Sequence, residues 1–245
     1  MNGAFRFSVS SIRIFAGAAF VLIAISTALF GALQEWQEPE LEYSRRLWQT
    51  EDGLQSPVVR ALMQGSSGYL WLATEEGLTR FDGRRFADFD TRTVAESHSR
   101  WMVDLVETSD GSIWTSSRNG GVTRLRDGKL TRYTTEDGLN SDFVMALHED
   151  RQGRLWVGTA KGLMWFVDGE FREYRAEGLW QPCAVRRIVE DDAGNLWIGT
   201  VEGLLRIGEG QLELITERDG WLIDKSVMAL QIDRERNLWI GTAAG

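Results

Sequence analysis

Gly153-Arg154-Leu155-Trp156-Val157-Gly158-Thr159, continued by Ala160-Lys161-Gly162-Leu163, returns again and again in this chain. It stands at Gly68 to Leu78 around Trp71, in loosened form at Gly111 to Val122 around Trp114, cleanly at Gly194 to Leu204 around Trp197, and at Asn237 to Gly245 around Trp239. Successive tryptophans lie 43, 42, 41 and 42 residues apart. Self-similarity at a fixed period is the mark of a repeat architecture.

Working outward from Trp156, each unit reads as four short strands. Phe143 to Glu149 is rich in apolar residues, Arg151-Gln152-Gly153 is a turn, and Leu155 to Thr159 is a second apolar run. Leu163 to Val167 follows Gly162, Asp168-Gly169 turns the chain, and Phe171 to Tyr174 closes the unit. Such a series predicts an antiparallel meander. Within Leu-Trp-Val-Gly-Thr, alternation places Trp156 and Gly158 on one face and Leu155 and Val157 on the other. Both faces are apolar, as a sheet stacked between two like sheets requires, and Gly158 leaves room for a neighbour. Thirteen residues before each tryptophan stand Val58, Trp101, Phe143, Ala184 and Ser226, and four residues further Leu62, Leu105, Leu147, Ile188 and Leu230. The 3.6-residue period of a coiled coil or α-solenoid is absent. The expected fold is all-β: a β-propeller of ~42-residue four-stranded antiparallel blades, incomplete, with four blades plus part of a fifth.

The expected blades span 55–90, 98–134, 140–175 and 181–216, with a partial one at 226–245. Leu47-Trp48-Gln49-Thr50-Glu51-Asp52-Gly53-Leu54 aligns with Arg132 to Leu139 at the end of the second repeat. Residues 43–49 therefore read as an outer strand that closes a ring, as propellers commonly avoid an unpaired edge. Its mate in the fifth blade would follow Gly245, so the chain reads as a piece of a longer protein. Before the body, residues 1–13 carry Arg6 and Arg13, and Ile14 to Leu33 are uncharged. That run is long enough to span a bilayer as an apolar helix. Positive residues before it and Glu35, Glu38, Glu40 and Glu42 after it put residues 34–245 outside the cytoplasm. Ser26-Thr27-Ala28 also offers a signal-peptide cleavage site, leaving anchor and cleaved leader both open.

Beyond residue 33 there are 25 basic against 36 acidic residues, which argues against nucleic acid as a partner. Cys183 is the single cysteine, so no intrachain disulfide can form. With His98 and His148 as the two histidines, neither a zinc site nor a catalytic triad can be assembled. No phosphate-cradling glycine loop appears, and no cofactor is expected. Glu51-Asp52 and Glu136-Asp137 resemble paired catalytic carboxylates, but their repetition before Gly-Leu identifies turn formers.

Trp48-Gln-Thr-Glu-Asp-Gly-Leu54, then Gly68-Tyr-Leu-Trp-Leu-Ala-Thr-Glu-Glu-Gly-Leu78 with Arg80-Phe-Asp-Gly83, resembles the two-component regulator propeller repeats. The resemblance covers residues 41–245 and recurs five times in register. It implies the periplasmic sensor domain of a bacterial membrane-bound signalling protein, held in the inner membrane, with a histidine kinase or diguanylate cyclase beyond a second span. Family sensors often work as dimers. The second copy departs from the pattern, with Thr115-Ser116-Ser117 and an added residue at Gly120-Gly121.

Propellers bind at the mouths of their central channel. The candidate ligand-binding residues are those that vary there: Arg118, Asn119, Lys161 and Glu202 in second-to-third-strand turns, and Trp101, Trp180 and Trp221 in blade-to-blade loops. Exposed aromatics among mixed charges suit a saccharide or other small polar ligand. Arg60, Asp104, Arg186 and Arg187 occupy innermost-strand positions where other copies have Val103, Met145, Ala146, Met228 and Ala229. A charge there must face water, a partner or an anionic ligand. The expectation is a sensory propeller, with an exported protein–protein scaffold as its rival. A propeller lyase or glycosidase finds no convergent acid–base set to support it.

Overall fold

The computed structural model describes residues 46–89, 101–175, 182–208 and 211–245. The expected apolar helix at 14–33 lies outside the described residues, and among those described no helix is long and apolar enough to cross a membrane.

Leu47–Gly245 forms one compact unit of antiparallel sheets. Blade one comprises β1 (Val59–Gln64), β2 (Leu70–Thr74), β3 (Leu78–Phe81) and β4 (Phe86–Phe89). Blade two comprises β5 (Met102–Glu107), β6 (Ile113–Ser117), β7 (Val122–Arg126) and β8 (Lys129–Tyr133). Blade three comprises β9 (Val144–Glu149), β10 (Leu155–Thr159), β11 (Gly162–Val167) and β12 (Glu170–Glu173). Blade four comprises β13 (Val185–Glu190), β14 (Leu196–Thr200), β15 (Leu204–Gly208) and β16 (Gln211–Ile215). Blade five holds β17 (Val227–Ile232) and β18 (Leu238–Thr242). Within each blade the strands pair in chain order, and the first strands of successive blades pack side by side.

The two faces of the second strand behave as alternation predicts. Leu155 and Val157 pack with Trp114, Val122 and Val144 towards blade two. Trp156 packs with Val185, Ile188 and Ile198 towards blade four. A Cβ on Gly158 would sit 2.6 Å from Val185 Cγ1, and one on Gly199 2.7 Å from Val227 Cγ1. Blades three and four therefore need glycine where the next blade touches them, while blade one accommodates the buried Ala73 there.

Three features repeat beneath this packing. Asp150, Asp191 and Asp233, six residues before their tryptophans, accept the indole Nε1–H at 2.7, 2.9 and 2.8 Å. Their other oxygens fold the first turn, Asp150 accepting from the amides of Gln152 and Arg154. Between blades, the carboxylates of Glu107, Glu149 and Glu190 accept from the amides of Ser66, Ser109 and Arg151 in the preceding blade's turn. An aromatic ending one fourth strand enters the next blade: Tyr133 packs on Phe166 and Phe171.

Trp48 repeats that last arrangement, with its ring 4.8 Å from Phe81 and 5.6 Å from Phe86. The alignment of residues 47–54 with 132–139 is thus real. Thr50–Asp52 and Thr135–Asp137 form equal 3-10 turns, whose aspartates accept from the amides of Gln49 and Thr134. The expected outer strand at 43–49 is not seen over residues 46–49, and 43–45 lie outside the described residues. Trp48 caps blade one as Tyr133 caps blade three, and Asp52 takes the Gln49 amide as Asp137 takes that of Thr134. Blade five has two strands, and Trp239 is 63% exposed where Trp156 is 1% exposed. No blade covers it.

Candidate functional site at the channel mouth

All five first strands carry a register shift at one place, between Val59 and Ala61, Met102 and Leu105, Val144 and Ala146, Val185 and Arg187, and Val227 and Ala229. A β-bulge re-aims the side chain of its extra residue. The bulged residues are Arg60, Val103, Met145, Arg186 and Met228, eleven before each tryptophan, and all five line a cavity of about 270 Å³. That ring is the channel wall. Trp101, Met102, Arg118, Phe143 and Arg187 complete the lining.

The rim is held by a second repeated contact. The amides of Glu75, Arg118, Ala160, Val201 and Ala243 donate to the carbonyls of Val58, Trp101, Phe143, Ala184 and Ser226 at 2.9 to 3.3 Å. The threonine ending the second strand fixes the adjoining turn: Thr159 Oγ1 donates to the Gly162 carbonyl and accepts from the Lys161 amide. Thr74 and Thr200 do the same. Rim residues thus project from rigid backbone.

Two arginines and two aromatic rings interleave on this rim. Arg60 Cζ lies 5.7 Å and Arg118 Cζ 5.5 Å from the Trp101 ring centroid, and Arg118 is also 5.5 Å from that of Phe143. Cation–π contacts of this kind contribute about 0.5–1 kcal/mol each at exposed sites. Arg60 also pairs with Glu75. Arg187 Nη1 donates to the Arg186 carbonyl at 2.9 Å and to that of Met145 at 3.3 Å. Arg186 Nε is buried without a hydrogen-bond partner.

Of the residues expected to bind ligand, Arg60, Trp101, Arg118 and Arg186 come together in the cavity. Asp104 turns away from it. Its carboxylate accepts from the amides of Leu147 (2.9 Å) and Leu105 (3.0 Å), tying blade two to blade three. Burial pushes its carboxyl pKa up, against those amides and the charge of Arg187. Asn119, Lys161, Glu202 and Trp221 are exposed and line no part of this cavity, Glu202 being paired with Lys225 at 2.8 Å. Trp180 lies outside the described residues. Phe143 and the methionine lining were not singled out, although Phe143 shares the register that identified Trp101. No group of three or more His, Cys, Asp or Glu residues that could hold a metal ion exists among the described residues.

The family model described as "Two component regulator propeller" matches residues 138–161 and 180–202. Those segments run from the rim loop to the second-strand turn of blades three and four. Blades three and four carry two-component regulator propeller repeats. No curated protein matches it significantly. Among solved structures, the repeats superpose on the extracellular domain of a protein assigned as a hybrid two-component system of B. thetaiotaomicron. The TM-score is 0.67 at 26% identity, over 82% of this chain and 29% of that one. A second extracellular domain from B. thetaiotaomicron, assigned to a one-component system, gives a TM-score of 0.62 at 25% identity, over 76% of this chain and 26% of that one. The chain thus spans less than a third of either relative. A virginiamycin B lyase from Staphylococcus aureus shares the fold at 15% identity, with a TM-score of 0.60 over 75% of this chain and 62% of that one.

Proposed function

We propose that this chain is the extracytoplasmic sensory part of a membrane-bound bacterial receptor, engaging its ligand at the channel mouth. Residues 14–33 hold it to the inner membrane, and a cytoplasmic kinase or cyclase reads its state. One observation carries the recognition role: at the bulged position, where a purely structural repeat uses Val103, Met145 or Met228, blades one and four present arginines to an open cavity. The likeness to extracellular domains of signalling proteins supports the location. Its test is a pair of fusions at Gly245, one to alkaline phosphatase and one to a fluorescent protein that matures only in the cytoplasm. Phosphatase activity alone is expected; cytoplasmic fluorescence overturns the reading.

A second reading is an exported scaffold for another protein. Trp221 and Ile223, 68% and 78% exposed on the loop before blade five, favour it. If the scaffold reading holds, Trp221→Ala and Ile223→Ala abolish assembly while channel-mouth variants leave it intact.

A further inference from the structure

We propose that the channel mouth recognises a small molecule carrying at least two oxyanion groups, carboxylate, sulfate or phosphate. This deepens the sensory reading and rests on it. The protein has 36 acidic against 27 basic residues, yet every charged side chain lining the cavity is an arginine: Arg60, Arg118, Arg186 and Arg187. Elsewhere arginines are matched to carboxylates, as in Arg124–Asp110, Arg154–Asp150 and Arg236–Asp192. Beside the cavity, outside its lining, Glu75 answers Arg60. Among the described residues, Arg118, Arg186 and Arg187 have no ion pair, and the Asp104 carboxylate offsets part of the charge of Arg187. Arg60, Arg118 and Arg187 are exposed, so water screens part of their mutual repulsion, while the half-buried Arg186 keeps more of the cost of an uncompensated charge.

The arrangement also leaves these guanidiniums ready to donate. Arg118 Cζ lies over the rings of Trp101 and Phe143, a contact that spends no N–H group. Its side chain makes no hydrogen bond among the described residues. Arg186 Nε is buried and unpartnered, one of six such side-chain atoms among the described residues and the one whose residue lines this cavity, which leaves it a donor for a ligand there. Arginine is the side chain that meets carboxylate, sulfate or phosphate with paired N–H donors. Several separated guanidiniums call for more than one oxyanion. At about 270 Å³ the cavity is below the ~300–1,000 Å³ of drug-sized pockets, so the ligand is small. Met102, Val103, Met145 and Met228 give its carbon skeleton an apolar wall.

The repeat itself supplies variants that should fold. Methionine occupies the Arg186 position in blades three and five, and alanine occupies the Arg118 position there and the Arg187 position in blades one, three and five. Calorimetric titration of the full chain with citrate and with inorganic sulfate is the test, with sorbitol as neutral probe. Citrate is expected to bind more tightly than sulfate and to weaken as salt rises. Arg186→Met and Arg118→Ala should each weaken citrate ~10- to 100-fold, the effect of losing a charged hydrogen bond. Failure of both anions to bind at millimolar concentration overturns the proposal. So does citrate binding that these substitutions leave unchanged. Sorbitol binding that quenches tryptophan fluorescence and is lost in Trp101→Leu refutes the oxyanion assignment but keeps the mouth as the recognition site. Binding of any probe that ignores Trp101→Leu and all the arginine variants removes both readings.

Discussion

Replacing Gly158 with alanine tests the central packing claim, that the second-strand glycine exists to let blades touch. The new Cβ would lie 2.6 Å from Val185 Cγ1, and 3.1 Å from both Val185 Cβ and Ala146 Cβ. Carbon atoms prefer separations of about 3.5–4.0 Å, so Val185, Ala146 or the blade must shift. Val185 is wholly buried and Ala146 is 1% exposed, which leaves little slack. Overpacking a filled core costs about 1–3 kcal/mol. Against this, alanine regains the ~0.5–1 kcal/mol that glycine loses inside a strand. The net expectation is a loss of ~0.5–2 kcal/mol. Gly241 is the internal control, since it occupies the same position in blade five and its Cβ would meet only Ala229 Cβ, at 3.4 Å. Gly241→Ala should therefore be neutral or stabilising by up to ~1 kcal/mol. Urea unfolding of the full chain, followed by tryptophan fluorescence, measures both against the parent if the slope is unchanged. Adding Val185→Ala to Gly158→Ala should recover at least ~1 kcal/mol relative to additivity, as directly contacting residues couple. Equal stability of Gly158→Ala and Gly241→Ala would refute the reasoning.

Other consequences follow from the repeated turns. Asp150→Ala removes the acceptor of the Trp156 indole and of the Arg154 side chain and amide in a buried setting, and should cost ~2–4 kcal/mol in thermal unfolding; Asp233→Ala, at the exposed copy, should lower the midpoint by much less. Asp233 is held at about 2 by hydrogen bonds from Asn237 and Trp239, and Asp110 at about 2 by Thr108, Ser112 and Arg124 against an upward push from burial. Carboxyls lowered on folding stabilise above their ordinary pKa and lose that contribution as pH falls through the folded value, so the melting temperature should drop between about pH 4 and pH 2, and less steeply in Asp233→Asn. Burial lowers the pKa of His148, outweighing the Glu190 carboxylate 3.7 Å away; a histidine lowered on folding favours the neutral form, so stability should fall as pH drops below 6.5 and His148→Gln should flatten that slope in a pH series of urea midpoints.

Much of the fold is written in the chain because one solution is stated five times. The spacing of Trp71, Trp114, Trp156, Trp197 and Trp239 fixes strand register, and alternation around Trp156 assigns its faces to two different blades. The aspartate six residues before three of these tryptophans was equally visible. Its role was not, because a surface turn aspartate and an indole acceptor look alike until the turn is folded. The alignment of Trp48 with Tyr133 holds: each aromatic plugs the next blade.

The candidate site was legible only where the repeat disagrees with itself. Arg60, Arg186 and Arg187 stood out against methionine, valine and alanine, and all three do share a cavity with Arg118. Asp104 was the exception, for a reason sequence alignment does not carry. It shares its place, one residue past the bulge, with Arg187, which reaches the cavity lining; the short Asp104 carboxylate is instead held in the blade interface by the amides of Leu147 and Leu105. The bulge aims its own extra residue at the channel in all five blades, and nothing in composition marks a bulge. Once its position is known the assignment becomes a rule: residue eleven before the tryptophan lines the wall, and residue thirteen before it shares the rim with the turn that follows the second strand. By that rule blade two's rim residues, Trp101 and Arg118, are two that meet. The copy that departs most from the repeat is therefore the one that brings both of its rim positions, residue thirteen before the tryptophan and residue four after it, into the cavity lining.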